Sequence, residues 1–408
     1  MKSLTGSSAL ILVILFGVSL LGEVDYQTIP PLLPLLSNAF HVDPGYAGRV
    51  VTVYALSAAF ATLFFGIMSD HYGRKPFIQL GLFSFSASTL LTGLTGSMNL
   101  FLLVRFVTGM TAGAFTVCVT SYAADYFQYE HRGRAMGVLS AAYFAAAIIG
   151  IPSATLLASA WGWRSIYWIN SGLALILGLV VSQWLVHTPS ARVSSRSIGQ
   201  LRIKELRNGM VTYAAQSDIL ALLAGSLVSS GATVGFITYL GSYLHQGLHI
   251  SMRQVGGVFL GCGLASLLGA PLSGILSDHF GKKTLLILGG AVLACGMVVI
   301  PLLGWGIWLW IGLGLAGISM AFRMAPLLAL LSELADPSDR GTLLALRSTL
   351  SQLGIATISL ASSYCYLFKG YRGVGILTGF LTGLSTLLVV LLVKEPGRES
   401  SSKGTLLV

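Results

Sequence analysis

The chain has 408 residues, of which 54% are hydrophobic and 9% charged, with a mean hydropathy of +0.81. A soluble domain carries about 25% charged residues, so the composition excludes a water-soluble enzyme or binding module and defines a polytopic membrane protein. The net charge of +10 does not mark a nucleic-acid binder, because the basic residues fall in alternate loops between apolar stretches and not on one face.

Apolar segments of ~20 residues, enough to cross a bilayer, are predicted at 8–36, 46–69, 77–96, 100–124, 135–159 and 165–187, then at 217–245, 253–276, 284–303, 307–333, 342–366 and 372–394. The first is too long for a secretory core and lacks a small-residue cleavage site, so it reads as a retained span. It holds the two mid-span carboxylates, Glu23 and Asp25. They lie ~200° apart on a helix and cannot share a face, whereas Glu23 and Gln27 can. Carboxylates inside a membrane mark proton or substrate pathways. Asp25, about midway along the span, is the expected proton site, with Arg105 as the stabiliser of its anion. Glu23 on the other face is expected to bind substrate or serve as a backup acid; helical spacing alone does not choose between them.

Between the second and third spans runs Gly66-Ile-Met-Ser-Asp70-His-Tyr-Gly73-Arg74-Lys75. Asp70 sits at a membrane–water boundary, where it can face a helix N-terminus or an arginine. Gly73 permits a tight turn. The fourth span contains Arg105, with Gly109 and Gly113 at i+4 and i+8 on its own face. Such an arginine either meets an acceptor inside the bundle or snorkels toward the outer end of its helix. The loop that follows carries Asp125, Arg132 and Arg134, the candidate charge partners of the 66–75 loop. In the fifth span, Gly150 and Pro152 predict a kink.

The polar stretch 188–216 separates two halves, 1–187 and 217–394, and 395–408 forms a polar tail. The second half repeats the first at an offset of 208. Gly274-Ile-Leu-Ser-Asp278-His-Phe-Gly281-Lys282-Lys283 matches 66–75, Arg132-Gly133 maps onto Arg340-Gly341, and Asp125 maps onto Glu333. The ionisable span residues do not repeat, since Asp25 maps onto Thr233 and Arg105 onto Leu313. Arg323, in the tenth span, either attracts an anionic group or pairs with a carboxylate. Tyr54, Tyr143, Asn170, Tyr239, Gln352 and Gln27 complete the candidate polar lining of a central cavity. With an internal N-terminus, 17 of the 24 Lys and Arg residues fall on the cytoplasmic side, so both termini are expected to be cytoplasmic.

The 66–75 segment resembles motif A of the major facilitator superfamily, and its second copy strengthens the match. Arg105 and its glycines resemble that superfamily's motif B. Gly150-Ile-Pro152 is similar to motif C of the proton-coupled exporters. Here Ile151 separates the two residues, and Ser153 and Ala154 stand where the motif has glycines, similar to the Gly-x-Pro form in sugar and nucleoside exporters. An acid followed by a Leu-Pro ending in the first span looks like the first helix of those exporters, and Asp25 stands closest to the acid that binds protons or cationic substrate there. The resemblance implies an all-α fold of twelve transmembrane helices in two pseudo-symmetric six-helix bundles. It also implies a cytoplasmic latch built on Gly66, Asp70, Gly73, Arg74 and Lys75, with Asp125, Arg132, Arg134, Asp278 and Arg340.

No nucleotide-binding loop or His/Cys ligand cluster is present in the sequence, so neither a cofactor nor a metal is expected and the chain is not read as an enzyme. Its four cysteines fall inside apolar spans as small buried residues. The expected function is secondary transport, proton-coupled export of small organic molecules by a monomer in a cell membrane, with a bacterial inner membrane as the expected location. Proton-coupled uptake of an anionic or zwitterionic solute is the alternative, with Arg323 as its anion contact. A receptor-like protein that moves nothing is the second.

Overall fold

A computed structural model describes residues 6–186, 216–334 and 340–393, and these are helical with no strand among them. The expected central loop and tail lie almost wholly outside the described residues. Eleven of the helices are long and apolar enough to cross a membrane. Their outer surface carries large exposed apolar side chains such as Trp161, Trp308 and Phe380, which suits contact with lipid and not with water.

The first predicted span is not one helix. It is α1 (Gly6–Gln27) followed by α2 (Ile29–Phe40), broken at Thr28. Pro30 and Pro31 have no N–H, and starting a new helix places them in a first turn, where backbone donors have no helical partner anyway. After the short α3 (Pro44–Ala47) come α4 (Arg49–Tyr72), α5 (Arg74–Leu94) and α6 (Met98–Tyr126). The fifth span is α7 (Tyr129–Ala145), a π turn (Ala146–Gly150) and α8 (Ile151–Trp161). The expected kink therefore takes the form of a widened turn directly ahead of Pro152, whose missing donor breaks the α-helical ladder. α9 (Arg164–Trp184) ends the first half.

The second half contains α10 (Ser217–Ser242) with a π turn (Tyr243–Gly247), α11 (Met252–Phe280), α12 (Lys282–Val299), α13 (Ile307–Leu334) and α14 (Arg340–Leu392). Gly370, at φ 62° and ψ −160°, breaks α14 into the two expected last spans.

The 208-residue repeat is written into the backbone. The described residues with positive φ are His41 and His249, Gly73 and Gly281, and Gly162 and Gly370. Each pair differs by 208, so the same reversals close the same turns in both halves. Side-chain bonds follow the same register. Arg74 meets Asp125 while Lys282 meets Glu333, and Lys75 donates to the Ser182 carbonyl while Lys283 donates to that of Val390. Gln246 donates to Asn38 across the halves at 3.3 Å. These two residues are themselves repeat mates, so the pseudo-two-fold axis passes between them.

Around that axis the halves are closed together. The hydroxyls of Tyr239 and Ser363 both donate to the Gly45 carbonyl, at 3.3 and 2.7 Å, and Arg49 Nε reaches Ser363 Oγ at 3.4 Å. At the opposite end, the pairs of Arg74 with Asp70 and Asp125, and of Lys282 with Glu333, each join residues of the same half. Within the first half, α4 and α6 touch backbone to backbone. A Cβ on Gly109 would lie 2.6 Å from the Tyr54 carbonyl oxygen, and one on Gly113 the same distance from that of Ala58. Only glycine permits this approach.

Candidate functional site

The two carboxylates of α1 face different surroundings. Asp25 points into the helix interface, where its Oδ1 accepts a hydrogen bond from Arg105 Nη1 at 2.9 Å, and both side chains are fully buried. The rings of Tyr54 and Tyr167 flank the guanidinium, 4.8 and 5.7 Å from Arg105 Cζ. Arg105 therefore does not snorkel. The close α4–α6 contact at Gly109 and Gly113 holds Tyr54 against it, and the pair is sealed from the cavity.

Glu23 lies on the open face. It lines a cavity of ≈ 360 Å³ with Tyr26, Tyr54, Tyr143, Thr116 and Gln352. Gln27 donates one hydrogen bond to Glu23 Oε2 and another to the Tyr143 carbonyl, each at 3.1 Å. This bridges α1 to α7 and fixes the carboxylate's orientation. A second cavity of ≈ 110 Å³ shares Tyr26 and Tyr143 and is closed by Val234, Ile237, Phe259 and Met320 from the other half. The large cavity is walled almost wholly by the first half, with Gln352 from the second, and the second half closes the small one chiefly with apolar side chains. Gly150 sets the distance between α1 and the π turn, since a Cβ there would stand 2.6 Å from Val24 Cγ2. Val24 lies between the two carboxylates.

Other residues expected in the cavity lie elsewhere. Arg323 is buried and donates to Ser385 Oγ at 3.0 Å, lining neither cavity and meeting no carboxylate among the described residues. Its helix packs closely on α12, where a Cβ on Gly289 would stand 3.3 Å from Arg323 Cγ. Asn170 is buried in α9 outside both cavities. Tyr239 stacks on Tyr366 at the closed end, with ring centroids 4.7 Å apart.

The expected latch residues gather at the other end. Arg74 forms an ion pair with Asp70, reaches Asp125 Oδ2 at 3.2 Å and donates to Ser69 Oγ at 2.7 Å and to the Gly66 carbonyl at 3.4 Å. These partners all belong to the first half. Arg132 and Arg134 are exposed on α7 and are not part of the Arg74–Asp125 pair, and Asp278 is exposed. The Arg340 side chain lies outside the described residues.

Sequence reasoning missed Tyr26 and Tyr167 as ring walls and missed Arg49 as a bridge between the halves. Arg347, inside the predicted 342–366 span, lies within α14 with its Nη2 3.7 Å from the Met324 sulfur. The repeat register was the available signal, because each of these positions has a mate whose surroundings can be compared.

A two-fold repeat of helices around a central cavity with ionisable span residues defines a secondary transporter fold. The model of the Major Facilitator Superfamily matches residues 15–306 and 222–406, and the chain belongs to that superfamily. It is 28% identical over 402 residues to an uncharacterized MFS-type transporter, YceJ, of Bacillus subtilis (strain 168), covering 96% of this chain and 98% of the relative. Multidrug resistance protein 2 of the same organism is 32% identical over 176 residues, 43% of this chain and 44% of that protein. The crystal structure of a D-xylose-proton symporter superposes with a TM-score of 0.79 at 17% identity, covering 94% of this chain and 98% of the other.

Proposed function

We propose that the protein exports small organic molecules by alternating access, driven by protons moving the opposite way, with Glu23 as the carboxylate that protons and substrate share. The observation that carries this reading is that Glu23 lines the central cavity while Asp25 is sealed against Arg105. A coupling group must exchange protons with water on at least one side, and Glu23 has that access. The Asp25–Arg105 pair then acts as a fixed joint between α1 and α6, neutralising a charge that lipid would otherwise oppose.

The Lys and Arg distribution puts the duplicated loops on the cytoplasmic side. The conformation, closed around Asn38 and Gln246, is then the one that takes substrate from the cytoplasm. Similarity over part of the chain to a multidrug resistance protein supports export. Uptake of an anionic solute loses its proposed contact, since Arg323 lines neither cavity. A cell membrane, and in a bacterium the inner membrane, is the location this reading requires.

The test is substrate-induced proton movement in proteoliposomes under an imposed pH gradient, with a panel of cationic, neutral and anionic compounds. Glu23→Gln is expected to abolish the coupled proton movement while leaving the protein folded. Undiminished coupling in Glu23→Gln, or substrate and protons moving in the same direction, would overturn the reading.

A further inference from the structure

A cavity of ≈ 440 Å³ lies apart from the two around Glu23, in the second half alone. It is framed by the π turn after α10, the 3₁₀ turn after α12 (Ile300–Leu302) and the break in α14 at Gly370. The π turn carries Gln246, so the cavity sits at the closed end of the molecule. Lys369 and Arg372 line it, and no carboxylate does. Among the described residues no ion pair or hydrogen bond engages either cation.

The first half shows what such an arginine does when it has partners. Arg164, 208 positions before Arg372, donates to the Thr95 carbonyl at 3.2 Å and lies 4.5 Å from the Trp163 ring centroid. In the second half both partners are taken. The mate of Thr95 is Leu303, whose carbonyl accepts the Tyr243 hydroxyl. The mate of Trp163 is Tyr371, whose ring stacks on that of Tyr243 with centroids 4.7 Å apart. Tyr243 is the cause of both changes, since its own mate, Leu35, has neither hydroxyl nor ring. A second exchange adds charge: Lys369 stands where the first half has Trp161. Two uncommitted cations therefore share a cavity where the first half has one engaged arginine and a tryptophan.

The surroundings are those of a membrane surface. Leu302 lines the cavity and is exposed, as is Phe368 beside Lys369. Trp305, Trp308 and Trp310 follow closely in the chain and are exposed, and tryptophans of membrane proteins gather at headgroup level. We propose that this cavity binds a phosphate group between Lys369 and Arg372, and that an anionic phospholipid of the adjoining leaflet supplies it. The guanidinium offers phosphate a two-pronged fork and the ammonium a point charge. Basic pockets between spans hold lipid headgroups by the same chemistry. The acyl chains then lie along Leu302 and Phe368. A free phosphate ion meets the same cations but leaves these apolar side chains unused, which favours the lipid. The site is independent of the role given to Glu23.

The experiment is native mass spectrometry of the purified protein in detergent, titrated separately with dioleoylphosphatidylglycerol, dioleoylglycerol and inorganic phosphate. The wild type is expected to bind the first phosphatidylglycerol about tenfold more tightly than dioleoylglycerol, the size of one charge-assisted contact. Both cations are exposed, so Lys369→Gln/Arg372→Gln should stay folded and erase that preference. The control pair Arg132→Gln/Arg134→Gln, exposed at the other end, should keep it. Tyr243→Phe frees the Leu303 carbonyl for Arg372 and should lower the preference several-fold without removing a charge. A lipid preference that survives Lys369→Gln/Arg372→Gln, or that falls as far in the control pair, overturns the proposal. So does equal binding of the two lipids with no binding of phosphate. Equal binding of the lipids, beside phosphate binding that needs Lys369 and Arg372, keeps the anion site and overturns the lipid as its source. A preference unchanged in Tyr243→Phe but lost in Lys369→Gln/Arg372→Gln supports the site and overturns the part given to Tyr243.

Discussion

Asp25 and Arg105 form a buried ion pair, and the cost of breaking it separates structural from coupling roles. Removing one partner of such a pair strands a charge, at about 3–5 kcal/mol, whereas replacing both with neutral groups costs much less. Arg105→Gln and Asp25→Asn are therefore each expected to lower thermal stability, and the double variant Asp25→Asn/Arg105→Gln to recover much of it, as read by melting temperature in detergent. Arg105→Lys should also lose stability, since a point charge cannot replace a guanidinium held between Tyr54 and Tyr167. Losses that simply add in the double variant would mean that the pair is not coupled. The two carboxylates also show what helical spacing can convey. Their ~200° separation dictated different surroundings, but not which of them met the cavity and which met Arg105. That choice depends on the rotation of α1 against α6, which one helix's periodicity does not contain. Arg323 was illegible for the same reason, because its partner Ser385 lies 62 positions away on another helix.

At the scale of elements, the π turn before Pro152 and the duplicated loops carry distinct predictions. Gly150 lets the π turn press on Val24 between the two carboxylates. Gly150→Leu should push α1 away, and proteoliposome transport should fall several-fold more than thermal stability does. A parallel fall in both would make Gly150 a packing residue only. The loop 66–75 tests differently. Its ion pairs are partly exposed, and such pairs contribute about 0–1 kcal/mol. Asp70→Asn and Asp125→Asn should therefore leave melting within a few degrees of wild type. If the loop works in the transport cycle, the same variants still lose most of their rate. Normal transport in Asp70→Asn would reduce the motif to a topological signal. The motif itself was fully legible in the sequence, because spacing and duplication survive without any knowledge of packing. Its partners were less so: Asp125 meets Arg74, but Arg132 and Arg134 project outward, since α7 turns them to the surface.

For the whole molecule, the pseudo-two-fold axis locates the closed end of the transporter. Asn38 and Gln246 are 208 positions apart and hydrogen-bonded to each other, so any rocking of one half about the other must separate them or pivot on them. The neighbouring contacts point to separation. Gly45 accepts from both Tyr239 and Ser363, and Arg49 lies over the ring of Tyr364 at 5.1 Å, all between the halves. The polar contacts can be exchanged for water when the end opens, and the close packing beside them, where a Cβ on Gly241 would stand 2.3 Å from the Pro30 carbonyl oxygen, must part with them. Cysteines placed at Asn38 and Gln246 and joined by a short bifunctional methanethiosulfonate should therefore lock this end shut. Transport should stop on cross-linking and return on reduction. Transport that continues in the cross-linked protein would mean that the halves pivot at this end instead of parting there, and the opening would have to be sought elsewhere on the interface.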